Sequence, residues 1–411
     1  MISPFQDKQI LLGVTGSIAA YKSADLASKL AQAGALVEVI LTQSGTQFVS
    51  PLTFQSVTGR TAYTDADLWG SEGHVLHIGL ARKADMLVIA PATANTIAKL
   101  AHGIADNLLT VTALAANCPL MLAPAMDGGM YTHVTTQSNL DLLRQREAII
   151  IGPVEGHLAS GLSGLGRMVE PTELLDHIRY SLSRGGPLKG CKIIVTAGGT
   201  HEPIDPVRGI TNRSTGKQGF ALAQAALDKG AEVLLISGPS HLSTPAGAER
   251  IDVVTAMEMK AAVLEALPDS TALIMAAAVA DFRPVSPPEH KIKKDQGLPQ
   301  ISLEPTKDIL EAVAELKSAY GYPQVTVGFA AESQDLLKNA RSKLAAKGLD
   351  LIIANDISSL DAGFAVETNR VTILDAEGGE EALPLLTKDE VAQLILEKVL
   401  GLLDLSGNES S

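Results

Sequence analysis

Short runs of apolar residues, rich in Val, Ile and Leu, alternate along the chain with longer stretches whose apolar positions recur every three or four residues. Runs at 9–14 (QILLGV), 36–41 (LVEVIL), 86–90 (MLVIA), 119–123 (PLMLA) and 148–151 (AIII) predict strands, and 19–33 and 95–102 between them carry helical spacing. At 183–190 the pattern breaks in SRGGPLKG, a cluster of glycines, a proline and charges that reads as a boundary. The alternation then starts afresh. Strands are predicted at 191–196, 231–236, 272–276, 325–329 and 350–354, and helices at 217–229, 256–266, 307–318 and 334–347. A strand at 370–374 and a helix at 388–403 complete it.

Alternation of this kind implies βαβ units around a parallel sheet. The expected class is therefore α/β, with two tandem Rossmann-like domains built on mainly parallel sheets. Their expected bounds are 1–184 and 190–404, and the small polar tail at 405–411 is expected to fray. Ligands of such folds bind at the carboxyl ends of strands, so the loops after strands are where chemistry is to be sought.

Composition narrows the partners. Hydrophobic residues make up 46% of the 411 positions, enough for sizeable cores, while aromatics at 3% favour tightly packed α/β layers over a β-sandwich. The net charge of −13 argues against a nucleic-acid backbone as partner. Cys118 and Cys191 are too few for a disulfide framework or a Cys-based zinc site and read as small buried hydrophobes. The opening segment has no basic stretch leading into an apolar one, so no secretory leader is expected. No apolar run approaches the ~18 residues of a membrane span. A cytoplasmic location with no membrane partner is the expectation.

In the first half, the loop Gly13-Val14-Thr15-Gly16-Ser17-Ile18 leads into a helix, where glycines allow close approach and free N–H groups face an anion. The spacing is not G-x-G-x-x-G, and Thr42, Gln43 and Ser44 stand where a ribose-binding acid would be. Hydroxyls and amides there suit a phosphate monoester, although a purely structural turn would look the same. Pro91 follows the third long strand, and Thr93, Asn95 and Thr96 are placed to cap the next helix. Asp106-Asn107 opens another. His74 and His77 lie three apart without a convincing third metal ligand.

In the second half, Thr196-Ala197-Gly198-Gly199-Thr200 is followed by a polar loop to Lys217, longer than a usual βα connection of roughly 2–6 residues. Arg208, Asn212, Arg213, Ser214, Thr215 and Lys217 are anion-binding types near a helix N-terminus. Ala276, Ala277 and Ala278 are small enough for a flat ring to lie on the backbone, and Asp281 follows. His290-Lys291-Ile292-Lys293-Lys294 is either a solvated basic face or a triphosphate-binding run. Lys343 and Lys347 share one face at i, i+4 spacing.

TGSIAAYK at 15–22, HIGLARKADMLVIAPATANTIAK at 77–99, ADNLL at 105–109, PAMDGGM at 124–130 and LASGLSGLGRM at 158–168 resemble, in order, the FMN-dependent cysteine decarboxylases. The resemblance implies a flavodoxin-like first domain that assembles as trimers, with FMN near the interfaces. It places FMN on Gly16, Ser17, Ile18, Thr42, Pro91, Ala92, Thr93, Asn95, Asp106, Asn107 and Met126, with His77 as base. FMN there takes electrons from the substrate's CH2–SH end and returns them after loss of CO2, with no net redox change. Two positions depart from the family pattern. Asp127 stands where the family has asparagine, and Ser160 stands where well-known members carry a cysteine as proton donor. Serine is a much weaker acid than a thiol.

TAGGT at 196–200, DPVRGITNRSTGKQG at 205–219, AAAVADF at 276–282, HKIKK at 290–294, KDIL at 307–310 and GFAAE at 328–332 resemble the phosphopantothenate–cysteine ligases. The resemblance implies CTP and Mg2+, and a dimerising domain. It places CTP on Met275, Ala276, Ala277, Ala278, Asp281, Lys291, Lys307, Asp308, Ile309, Leu310, Phe329, Lys343 and Lys347. Lys291 then serves acyl transfer, Asn212 holds the acyl cytidylate, and Arg208 supports the second half-reaction. Together the halves imply two adjacent steps of coenzyme A biosynthesis on small-molecule substrates, 4'-phosphopantothenate, cysteine and CTP.

A nicotinamide-dependent dehydrogenase would need the dinucleotide fingerprint and ribose acid that are missing here. A flavin-binding regulatory subunit would carry a long acidic tail in place of LSGNESS. The alternative that Asp127 and Ser160 keep open is an active ligase fused to a catalytically impaired flavin-binding scaffold.

Overall fold

The computed structural model describes residues 3–69, 75–159, 161–293, 300–332, 335–356 and 366–403. The chain divides into two compact units between Leu182 and Ser183.

In the first unit, strands Gln9–Val14 (β1), Leu36–Leu41 (β2), Ala62–Tyr63 (β3), Met86–Ala92 (β4), Leu120–Pro124 (β5) and Ile149–Ile150 (β6) form one parallel sheet in the order β3-β2-β1-β4-β5-β6. β1 is buried on both faces, as its continuous apolar run demands. Ile10, Leu12 and Val14 enter the core on one side with Leu26 and Leu30 of the helix Ala20–Gln32; Leu11 enters the core on the other with Ile97 and Leu109. The order reverses between β1 and β4, so the loops leaving these neighbouring strands turn to opposite faces and open a crevice between them. Strands Val154–His157 (β7) and Ser163–Arg167 (β8) add an antiparallel hairpin.

In this unit the predicted strands stand within a residue or so of their observed bounds, except that β4 continues through Pro91 to Ala92. Pro91 thus lies within the strand rather than following it, at the register shift between Ile89 and Ala92, where a missing N–H is tolerated. The helix that follows, Ala94–His102, is capped by Thr93, whose side chain accepts from the Thr96 amide.

In the second unit, Lys192–Ala197 (β9) is central. His201–Pro203 (β10) and Gly209–Thr211 (β11) form a hairpin within the long polar loop. Glu232–Ser237 (β12), Glu249–Asp252 (β13) and Ala272–Met275 (β14) join the sheet, and Phe282–Pro284 (β15) pairs antiparallel with Leu303–Pro305 (β16). Val325–Glu332 (β17) and Leu351–Asp356 (β18) extend the sheet. Thr368–Asn369 (β19) lies outside it, and Val371–Asp375 (β20) and Glu380–Ala382 (β21) finish it antiparallel. Its order is β13-β12-β9-β14-β17-β18-β20-β21, reversing between β9 and β14. The second crevice therefore opens at the loops after β9 and β14.

Candidate functional site

The first crevice holds a cavity of about 920 Å3. It is walled by the loop after β1 (Gly16, Ser17, Ile18), the loop after β2 (Thr42), the start of the helix after β4 (Thr93, Asn95), and Asp106, Asn107 and Met126. Nine of the eleven residues expected to hold FMN thus meet in one space. Pro91 and Ala92 do not line it; Ala92 is fully buried, and the Pro91 carbonyl accepts from the Thr15 hydroxyl at 2.7 Å. That hydroxyl also accepts from the Thr93 amide at 3.2 Å, which fixes one loop on the other.

Glycine is required at two places. A Cβ on Gly16 would sit 2.4 Å from the Ser44 Cβ, and one on Gly166 would sit 2.2 Å from the Met126 carbonyl oxygen. The first lets the loops after β1 and β2 approach closely; the second lets the β7–β8 hairpin form a cavity wall with Met126. Hydroxyls of Ser17, Thr42, Ser44 and Thr93, the Asn95 amide, and the apolar faces of Ile18, Met126 and Met130 suit a phosphate carrying a flat ring. The donor set fits FMN.

Asp127 is the N-cap of the helix Gly128–Thr132, accepting from the Gly129 amide at 2.9 Å, and it lines the cavity. Asparagine caps equally well, so this departure leaves the local fold unchanged. Ser160 lies outside the described residues, between Ala159 and Gly161, both of which line the cavity. His77 sits half-buried on the helix Leu76–Lys83 and is not a lining residue; its Nδ1 is buried without a partner.

Sequence reasoning missed three charged residues here. Asp65 accepts from the Gln43 amide at 3.1 Å and the Leu108 amide at 3.1 Å, joining two walls. Its signal was concealed by the two-residue strand β3, too short for a period to show. Lys99 pairs with Asp106 at 2.8 Å. Lys22 is buried and donates to the Met168 carbonyl at 3.0 Å and to Glu170 at 2.9 Å, anchoring the chain just past β8 to the first helix.

In the second crevice, the loops after β9 and β14 are laced together. The Ala278 amide donates to the Gly198 carbonyl at 2.8 Å, the Thr200 amide to Ala278 at 3.2 Å, and the Ala277 amide to the Thr196 hydroxyl at 3.1 Å. Asn212, just past β11, donates its amide to the carbonyls of Ala278 at 3.0 Å and Val279 at 3.2 Å. Asn212 and Ala276, Ala277 and Ala278 are therefore one constellation. Asp281 is exposed beside it, and its carbonyl accepts from Thr306 at 2.9 Å, bringing in Lys307, also exposed. Met275 and Ile309 are buried core residues, Leu310 packs against that core, and Phe329 is half-buried on β17.

Asp308 caps the helix Ile309–Tyr320 and forms an ion pair with Lys347. Burial works to raise its carboxyl, but Lys347 and the Glu311 and Leu310 amides hold it below the usual carboxylate range. Lys343 is exposed on the helix Leu336–Ala346 that precedes Lys347. Lys291 is exposed. Arg208 lies 3.6 Å from Asp205, whose side chain is fully buried. Asp205 also went unnoticed in the sequence, because an aspartate before a proline in a polar loop looks like ordinary turn chemistry.

The flavoprotein family model matches residues 3–183, and the DNA/pantothenate metabolism flavoprotein C-terminal domain model matches residues 188–402. The coenzyme A biosynthesis bifunctional protein CoaBC of Bacillus subtilis is 46% identical over 407 residues, covering 98% of this chain and 99% of its own. The chain belongs to the bifunctional coenzyme A biosynthesis family. The Escherichia coli CoaBC protein is 41% identical, covering 96% of this chain and 97% of its own. A solved C-terminal domain of a CoaBC protein is 39% identical, covers 53% of this chain and 98% of its own, and has a TM-score of 0.46. Like the rest of the bifunctional coenzyme A biosynthesis family, this chain is an enzyme that joins a flavoprotein decarboxylase half to a ligase half.

Proposed function

We propose that the ligase half joins cysteine to 4'-phosphopantothenate through an acyl cytidylate made from CTP, and that the first half decarboxylates the product with FMN. The observation that carries this reading is the convergence of strand-end loops. Nine expected FMN residues line one cavity, and Asn212 is bonded to the Ala278 end of the nucleotide loop.

A carboxylate is inert to amines at neutral pH, so activation must precede ligation. Lys291, Lys307 and Lys343 offset triphosphate charge as pyrophosphate leaves, and Mg2+ would supply further positive charge there. The small Ala276–Ala278 surface takes the cytosine ring, and Asp281 the nucleotide. Asn212 holds the acyl cytidylate; Lys291 and Arg208 then serve attack by the cysteine amine and release of CMP.

Bound in the first cavity, FMN supplies the electron sink that decarboxylation needs. The loop amides at Gly16–Ile18 and the hydroxyls around them hold its phosphate. Asp127, Leu158, Ala159 and Gly161, which line the cavity, enclose the substrate, and Ser160 relays a proton through water. His77 accepts the substrate proton. In the trimer that the family resemblance implies, a neighbouring copy would bring its His77 to the cavity.

Mass spectrometry of a reaction with 4'-phosphopantothenate, cysteine, CTP and Mg2+ tests the proposal. Formation of 4'-phosphopantetheine and CMP is expected. Accumulation of the cysteine adduct alone would establish the ligase-plus-scaffold alternative.

A further inference from the structure

Asp205 stands at the turn between β10 and β11 with its side chain fully buried. Its two carboxylate oxygens do different work. Oδ1 accepts from the Val207 and Arg208 amides, both at 2.8 Å, and so shapes the turn that carries Arg208. Oδ2 lies 3.6 Å from the Arg208 guanidinium and accepts from the Ile292 amide at 3.3 Å. Ile292 is the residue after Lys291 and 87 positions away in sequence. The turn is closed independently by the Ile204 and Asp205 amides, which donate to the Arg208 carbonyl at 2.8 and 3.2 Å. Oδ2 is thus not needed to make the turn.

We infer that Asp205 is a positioning residue for ligation, whose Oδ2 holds the Lys291 segment and the Arg208 guanidinium in one mutual geometry. The inference rests on the roles proposed for Lys291 and Arg208. The physical reason is economy of freedom. Lys291 and Arg208 are exposed, long and flexible, and a group that must meet a transition state gains rate when its backbone is fixed in advance. A buried carboxylate held by the Val207, Arg208 and Ile292 amides is fixed in place, and those amides with the Arg208 charge hold its carboxyl below the usual range against the upward pull of burial, so it stays ionised.

Asp205→Asn tests it. The amide oxygen keeps the Oδ1 bonds, while an NH2 group replaces the acceptor facing Ile292 and Arg208. In the full-length protein, ligation kcat should fall about 10–100-fold with KM for CTP changed less than about threefold, and decarboxylation of supplied phosphopantothenoylcysteine should be unchanged. The double variant with Lys291→Gln should be no slower than Lys291→Gln alone, because the two act as a unit. A purely structural role would instead multiply the two losses and lower the melting temperature of the second unit.

Amide exchange in the unmutated protein gives a second, fold-independent reading. The Ile292 N–H should be protected, and exchange at the rate of an open chain would overturn the inference. Wild-type ligation by Asp205→Asn alongside a dead Lys291→Gln would overturn it while sparing the proposed function. Wild-type ligation by Lys291→Gln would overturn both.

Discussion

The Asn212 side-chain amide donates to the Ala278 carbonyl at 3.0 Å, joining the end of the β10–β11 hairpin to the loop after β14. The second bond, to Val279 at 3.2 Å, leaves both amide hydrogens engaged with backbone and the side-chain oxygen as the group available to a ligand. Asn212→Asp would place an acceptor against two carbonyls. Ligation should be lost and the second unit destabilised by about 1 kcal/mol, the net worth of an ordinary hydrogen bond, since Asn212 is exposed. Urea unfolding and a CMP-release assay check the two arms, and an active variant of wild-type stability would refute the account.

Gly16→Ala should abolish or strongly weaken flavin binding. The added Cβ meets the Ser44 Cβ at 2.4 Å, so the loop after β1 must move away from the loop after β2. Overpacking of this kind costs about 1–3 kcal/mol, which corresponds to roughly a 5- to 150-fold weaker site. The bound flavin's absorbance after desalting measures it, and full occupancy would show that the loops can part freely.

The two activities should separate by mutation. His77→Asn should lower CO2 release by about 10²–10⁴-fold, the usual worth of a positioned base, and leave ligation intact. Lys291→Gln should lower ligation by about 10²-fold or more through lost charge stabilisation and leave decarboxylation intact. Loss of both activities in either variant would contradict two independent sites.

Stability at low pH should carry a signature of Asp308. Its carboxyl is held below the ordinary value of 3.8, so folding favours the charged form. The stabilisation is therefore complete above about pH 4 and lost as pH falls through the depressed folded value. Asp308→Asn should flatten the acid limb of the stability curve below about pH 4. Urea midpoints across that range measure this, and an unchanged limb would show that the pair with Lys347 does not couple to folding.

The amino-acid sequence by itself determined the long parallel strands, the helices between them and the loops that carry chemistry. Those signals are local. A strand buried on both faces must be continuously apolar, as β1 is, and a helix must cap its free amides, as Thr93, Asn107 and Asp308 do. The tertiary structure alone decided the short pieces. β3, the β7–β8 and β10–β11 hairpins, β13 and the β15–β16 pair are short and carry no continuous apolar run to mark them, and they form because a neighbouring strand offers unpaired backbone groups. Tertiary structure also decided which charges meet. Asp308 finds Lys347 across 39 positions, and Asp205 reaches the Ile292 amide across 87. It set His77 outside the cavity of its own chain. Strand order brings such residues together, and strand order is fixed by packing of the whole sheet, which no short window of sequence contains.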